Sequence, residues 1–319
     1  MDVHEPFNLD AALDSLKPRT KTPRSATILN NWITQTERNI HSGGGRLSWL
    51  VATTVVAAML QQATDQLGRS QFFLKGGTLL QHMLPGQTRT TTDLDGMVTG
   101  DLDEFLEALD PIMNEQWGPL AFTREAVETI DVPFKIIKPR RFDVIVKING
   151  VTWRRIQVEV SPEEGSAGKA CEMLVPPSLA GFGLPTPDHL VCLQMRYQIA
   201  QKVHASTDPH NPPDYVNDRA HDVVDLVLIR RMAKDTGQPT LKSIHDALVD
   251  IFDSRADEAV KLGRCPRYWP TRLIAYPHWK DSFERAASQA GLALSLEEAV
   301  AVVNQWLDEI DMSVRTVVT

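Results

Sequence analysis

The stretch Phe72–Gly96, FFLKGGTLLQHMLPGQTRTTTDLDG, decides how this chain is read. FFL reads as a short strand, GGTLLQHML as a helix opened by two glycines and PGQTR as a turn. TTDLDGMV reads as a second strand, β-branched at its start and closed by Gly96. On an extended segment, residues i and i+2 project from the same face with Cβ atoms ~7 Å apart. Asp93 and Asp95 therefore point the same way, and two carboxylates so placed suit magnesium, a hard cation that takes oxygen ligands. Phosphoryl transfer uses such an ion to neutralise charge on the phosphates and the attacking oxygen. Gly76 and Gly77, between strand and helix, let backbone N–H groups approach a phosphate, and the helix N-terminus favours the anion. Thr78 adds a hydroxyl donor.

Taken singly, each motif has a plainer reading. Asp-x-Asp serves equally as an exposed acidic strand end, and KGGT as a tight turn with Thr78 as N-cap. An EF-hand would use Asp93, Asp95, Asp101 and Glu104, but Met97 and Val98 stand where an oxygen ligand and a glycine are required. The spacing Gly-x-x-x-x-Gly-Lys-Ser/Thr is absent, so KGGT is not a Walker A loop.

The rest of the chain supplies the frame. Its 319 residues are enough for two domains, with 42% hydrophobic and 23% charged residues, the composition of an ordinary globular protein. No run reaches the ~18 apolar residues of a membrane span, and LSWLVATTVVAAML reads as a buried helix. The N-terminus is acidic and lacks the order of a signal peptide. Cys171, Cys192 and Cys265 are scattered, which fits a reducing cytoplasm and gives neither a zinc site nor a disulfide framework. A formal charge of −8 argues against non-specific coating of nucleic acid while leaving room for a local basic groove.

Residues 1–45 read as a helical leader ending in SGGG. Residues 46–184 read as an α/β domain with a hairpin around Asn149–Gly150, and 185–319 as a wholly helical domain. The expected fold class is α+β: a small mixed sheet with helices, plus a C-terminal helical domain.

A Gly-Gly-Thr turn, a helix, then Asp-x-Asp on the next strand is more specific than either part. It resembles the signature of the nucleotidyltransferase superfamily, in which a third carboxylate lies on a neighbouring strand. Glu159 in RRIQVEVS is the best candidate for it, and Asp143 in RFDVIVKI the alternative. With QIAQKVHA and DRAHDVVDL added, the pattern resembles the AbiEii/AbiGii, MenT-type family of nucleotidyltransferase toxins over roughly residues 70 to 230. Lys75, Gly76, Gly77, Thr78, Arg89, Thr91, Asp93 and Asp95 match its first two motifs, Lys202 its helical lysine, and Arg219, Asp222 and Asp225 its last motif. Thr91 stands where many members have Ser, and Glu159 where they have Asp.

The resemblance implies magnesium-dependent transfer of a nucleoside monophosphate from an NTP to an acceptor. It points to CTP as donor and the 3′ end of tRNA as acceptor, a modification that blocks charging. It also implies a cognate antitoxin, no membrane partner and an active monomer. Asp93, Asp95 and Glu159 would hold metal. Lys75, Gly76, Gly77, Thr78, Arg89 and Thr91 would bind nucleotide. Lys202 would bring positive charge, Asp222 would orient it or touch the nucleotide, and Asp225 would fix Arg219 or cap a packing network. Arg140, Arg141, Arg154, Arg155, Arg267 and Trp269 are the candidates for RNA contact. His204 and His221 read as structural. Two alternatives remain: the same fold modifying a protein or small molecule, and a weakly catalytic NTP-binding regulator.

Overall fold

The computed structural model describes residues 9–40 and 45–315; the first eight residues of the expected leader and most of its SGGG break lie outside them. The first helices are α1 (Leu9–Asp14), α2 (Ala26–Asn39) and α3 (Arg46–Leu60). Ser25 starts α2 by accepting the Ile28 amide at its hydroxyl. α3 is apolar on nearly every side and is buried along its length, as such a helix must be. Strand β1 (Phe72–Lys75), helix α4 (Gly76–Met83) and strand β2 (Asp93–Val98) follow in the expected order. α5 (Leu102–Ile112) starts at Asp101, whose carboxylate accepts the Asp103 and Glu104 amides, and buries Leu102, Phe105, Leu106 and Leu109 on one face.

The remaining strands are β3 (Leu120–Arg124), β4 (Glu128–Thr129), β5 (Arg140–Ile148), β6 (Val151–Pro162), β7 (Cys171–Leu174) and β8 (Leu190–Leu193). β5 and β6 are joined at Asn149–Gly150 with φ of 49° and 77°, the left-handed pair a two-residue hairpin requires. The C-terminal helices are α6 (Met195–Ser206), α7 (Ala220–Thr236), α8 (Leu241–Lys261), α9 (Lys280–Gln289) and α10 (Leu296–Arg315).

All eight strands form one mixed sheet in the order β3-β5-β6-β2-β1-β8-β7, with β4 paired to β5. β2 runs parallel to β6 and β1 parallel to β8; the other pairs are antiparallel. The period of two sorts the strands into two cores. Phe72, Leu74, Leu94, Val98, Val158 and Val160 pack with α2, α3 and α5 on one face. Phe73, Met97 and Leu193 join the core of the C-terminal helices on the other.

Two expectations change. Leu190–Leu193, read as the start of a helix, is strand β8, so the sheet continues past the boundary placed near residue 185 and serves both cores. A four-residue apolar run cannot be told from a buried helical turn by periodicity. The strand β2 also runs through Gly96 to Val98. That glycine is needed because the Phe72 ring lies over it, and a Cβ there would fall 2.0 Å from the ring.

Candidate active site

The odd-numbered residues of β2, and those of β6 from Gln157 on, lie on the face toward the C-terminal helices. Strand register lines up Arg141 on β5, Glu159 on β6, Asp95 on β2 and Lys75 on β1 in one row across four strands. Asp93 is in register with Gln157, whose amide donates to Asp93 Oδ1 at 2.7 Å, while the Thr92 hydroxyl donates to Oδ2 at 3.1 Å. Glu159, Asp95 and Lys75 of this row form the floor of a cleft of about 360 Å³ whose far wall is α6 and the start of α7.

The glycine turn sits against the floor. Gly76 has φ +70°, and a Cβ there would fall 2.0 Å from Asp95 Oδ2, so no other residue fits. Its peptide is clamped on both sides by Gln198 on α6: the Gly76 N–H donates to Oε1 at 2.9 Å and Nε2 donates to the Gly76 carbonyl at 2.8 Å. The Gly76 amide is therefore already used, contrary to the expectation that it would face a phosphate. Thr78 is fully buried and its hydroxyl donates to the Asp93 carbonyl at 3.0 Å, so it braces β2 instead of offering a donor to the cleft. Gly77 lies open to the cleft beside Thr91 and Arg89.

Asp95 is the group under electrostatic pressure. Burial is the main cause, reinforced by Glu159 and Asp93 and opposed by Lys75 and Lys202; its carboxyl is pushed up to about 6. Lys75, whose own value burial lowers, donates to Ser161 Oγ at 2.7 Å. On the helical wall Lys202 donates to Asp222 Oδ1 at 2.6 Å and Asp225 Oδ2 at 2.7 Å. Burial works against the ammonium, but the two carboxylates outweigh it and hold its pKa above the ordinary lysine value. Burial likewise opposes the Asp222 carboxylate, and Lys202 overcomes it, keeping Asp222 well below the usual range.

Asp225 accepts from Arg89 at both oxygens, 3.2 Å each, while Arg219 Nη1 lies 3.8 Å from Asp222. Asp225 thus sits in a buried network with Lys202 and Arg89, the second of its two expected roles, while Arg219 lies nearest Asp222.

Two acidic side chains at Asp93 and Asp95, one of them destabilised by burial and then by like charge, are a donor set that fits a hard divalent cation. The third ligand is a different matter. Glu159 has the right register, but its Oε1 accepts from Arg141 at 2.8 and 2.5 Å. Asp143 accepts from Arg155 at 2.6 Å. Among the described residues no three His, Cys, Asp or Glu side chains are grouped as a metal requires.

The candidate RNA contacts are mostly committed elsewhere. Arg140 pairs with Asp103, Arg155 with Glu125 and Asp143, and Arg267 with Asp208. Arg154 is wedged against α2 and α3, donating to Asn30 and Ser48. Trp269 packs edge-on to Phe252 and His245, so it is a core contact and not an open stacking platform. His204, read as structural, is buried: burial, then Arg255 and Arg267, drive its pKa far down and keep it neutral.

Gln198 and Glu164 were missed. Gln198 lies four residues before Lys202 on α6, one turn away on the same face, which was an available signal. Glu164 sits in a loop and joins Lys135 and Arg255 beside the cleft, with nothing local to mark it.

The sequence profile of the nucleotidyl transferase AbiEii toxin, of a type IV toxin–antitoxin system, matches residues 58–305. No curated protein matches the sequence. Among solved structures, the chain is similar to MenT4, nucleotidyltransferase toxin Rv2826c from Mycobacterium tuberculosis H37Rv, with 16% identity and a TM-score of 0.48 over 88% of this chain and 99% of that one. It is also similar to JHP933 from Helicobacter pylori, with 13% identity and a TM-score of 0.43 over 83% and 92% of the two chains. Among the described residues no helix is long and apolar enough to cross a membrane.

Proposed function

From the premise that the chain belongs to the AbiEii family of nucleotidyltransferase toxins, we propose that it transfers a nucleoside monophosphate, cytidylate in preference, from an NTP to the 3′ acceptor end of tRNA. The observation that carries this reading is the cleft itself, with Asp95 on its floor, Asp93 two residues before it on the same strand, and Lys75 and Lys202 on opposite sides. The acceptor hydroxyl oxygen attacks the α-phosphorus, the bond to the bridging oxygen breaks, and pyrophosphate leaves. Lys75 and Lys202 stabilise the charge that builds on the leaving group, in a site where hydrogen-bonded partners already fix them. Gln198 holds the turn that places Gly77 against the phosphates. Magnesium, held by Asp93 and Asp95, would neutralise charge on the phosphates and the attacking oxygen. The toxin acts as a monomer, is restrained by a cognate antitoxin, and stops translation by blocking tRNA charging.

One observation favours a second reading. The arginines beside the floor are held in ion pairs with Asp103, Glu159, Glu125 and Asp143. A basic stretch of β5 and β6 neutralised in this way suits an acceptor other than RNA, either a protein or a small molecule.

Incubation with radiolabelled NTPs, magnesium and total tRNA separates the two. Labelled tRNA with the wild type, strongest with CTP, and none with Asp93→Ala is the expected outcome. NTP turnover without RNA labelling would move the assignment to the second reading.

A further inference from the structure

The cleft does not end at the carboxylates. Phe134, Lys135, Asp208, Tyr215 and Arg255 line both the cleft and a second chamber of about 340 Å³. The two spaces differ in chemistry. Lys75, Gly77, Arg89, Asp95 and Lys202 all belong to the first. The second is dominated by two rings, Phe134 and Tyr215, set edge to face with centroids 5.7 Å apart. The Arg264 guanidinium lies over Phe134, 5.8 Å from the ring centroid.

Most of the charges around the second chamber are already matched. Lys135 pairs with Glu164 and Glu258, Arg255 with Glu164, and Arg267 with Asp208. That leaves little net attraction for a phosphate, while the ring faces suit something flat and uncharged. The rings are also held in place. Phe134 lies on the loop between β4 and β5, which α8 secures through Glu258 accepting the Ile136 amide at 2.7 Å. Tyr215 lies between α6 and α7 in a segment closed by reciprocal backbone hydrogen bonds with Asn211, 2.9 Å each. One ring therefore comes from the sheet half and one from the helical half.

A nucleoside triphosphate has one highly charged end and one planar, uncharged end. We propose that the second chamber takes the nucleobase of the incoming NTP, stacked on the face of one of the two perpendicular rings, Phe134 and Tyr215, and bounded by the edge of the other, with Arg264 adding a cationic group. This inference rests on the nucleotidyltransferase reading above. Stacking on an aromatic ring is tolerant of base identity, so the pair supplies affinity for any NTP.

The test is calorimetric titration of the full chain, in magnesium, with CTP and separately with inorganic tripolyphosphate. Phe134→Ala and Tyr215→Ala should each weaken CTP about tenfold and leave tripolyphosphate binding unchanged, while Tyr215→Phe should bind CTP like the wild type. Phe134→Leu, which keeps an apolar plug in the loop but removes the flat face, gives the same split if the alanine variant melts early. Equal weakening of both ligands, or no change in CTP affinity, overturns the proposal while the wild type still binds CTP. A wild type that binds no NTP overturns the nucleotidyltransferase reading and this inference with it.

Discussion

The floor and the helical wall of the cleft handle charge in opposite ways. On the wall, Lys202 is held by two carboxylates, and one of them also takes a two-point bond from Arg89. Every member is paired, and Asp222 is held far below its ordinary range. On the floor, Asp95 has like-charged neighbours in Asp93 and Glu159, no ion pair among the described residues, and a carboxyl pushed up to about 6, chiefly by burial. The wall is a closed network that fixes one ammonium in place, and the floor is an open set short of positive charge. The proposed transfer, with magnesium and a triphosphate, would use both: a rigid positive group and an acidic surface not yet neutralised.

The largest test of this contrast is on the wall. Lys202→Ala leaves Asp222 and Asp225 buried without their ammonium. Breaking a buried pair by removing one partner typically costs about 3–5 kcal/mol, so urea unfolding should show a loss of that order. A loss well under 1 kcal/mol would mean that Arg89 and Arg219 can take over, and that the wall is not a closed network.

The next effect is smaller and opposite in sign. Asp95 titrates near 6 in the folded chain and near ~3.9 unfolded. Between those values the folded state binds the extra proton, so its stability falls as pH rises from ~4 to ~6. Asp95→Asn should remove about 1–2 kcal/mol of that fall across the window, after allowance for partial solvent access. Unfolding with chelator present, at several pH values, measures it. Asp222 has the reverse sign, since its contribution is present above ~pH 4 and is lost only in stronger acid. An unchanged slope in Asp95→Asn would show that the floor carries no excess negative charge.

What was legible in the sequence follows from how far apart the partners are. The shared face of Asp93 and Asp95, the glycine turn and the pairing of Asp222 and Asp225 on one helix are local, fixed by periods of two and of three to four. The place of Glu159 in the row beside Asp95 was legible too, because β6 alternates from Ile156 to Val160; its expected part as a metal ligand is a separate matter. The partners of these groups were not legible. Gln198 clamps Gly76 from 122 residues away, and Arg89 reaches Asp225 across 136. Thr78 turned out to be buried because β2 covers it, which no local pattern announces. β8 was lost because four apolar residues carry no period of their own.

The arginine beside the floor gives the smallest effect and the finest discrimination. Arg141 and Glu159 form a partly exposed pair, with Oε1 accepting from both Nε and Nη2. Such pairs contribute roughly 0–1 kcal/mol, so Arg141→Ala should barely move the melting temperature. Its consequence lies in where the Glu159 carboxylate goes. The strand register already sets Glu159 opposite Asp95, and without the guanidinium it is free to face the cleft as a third acidic ligand. Magnesium affinity, titrated without nucleotide or RNA, should then rise a few-fold, since another carboxylate strengthens an oxygen-donor site. A fall in affinity would make Arg141 a support of the metal site and would remove Glu159 from the ligand set. An increase would make Arg141 a lock on a three-carboxylate floor, opened when an anionic substrate draws the guanidinium away.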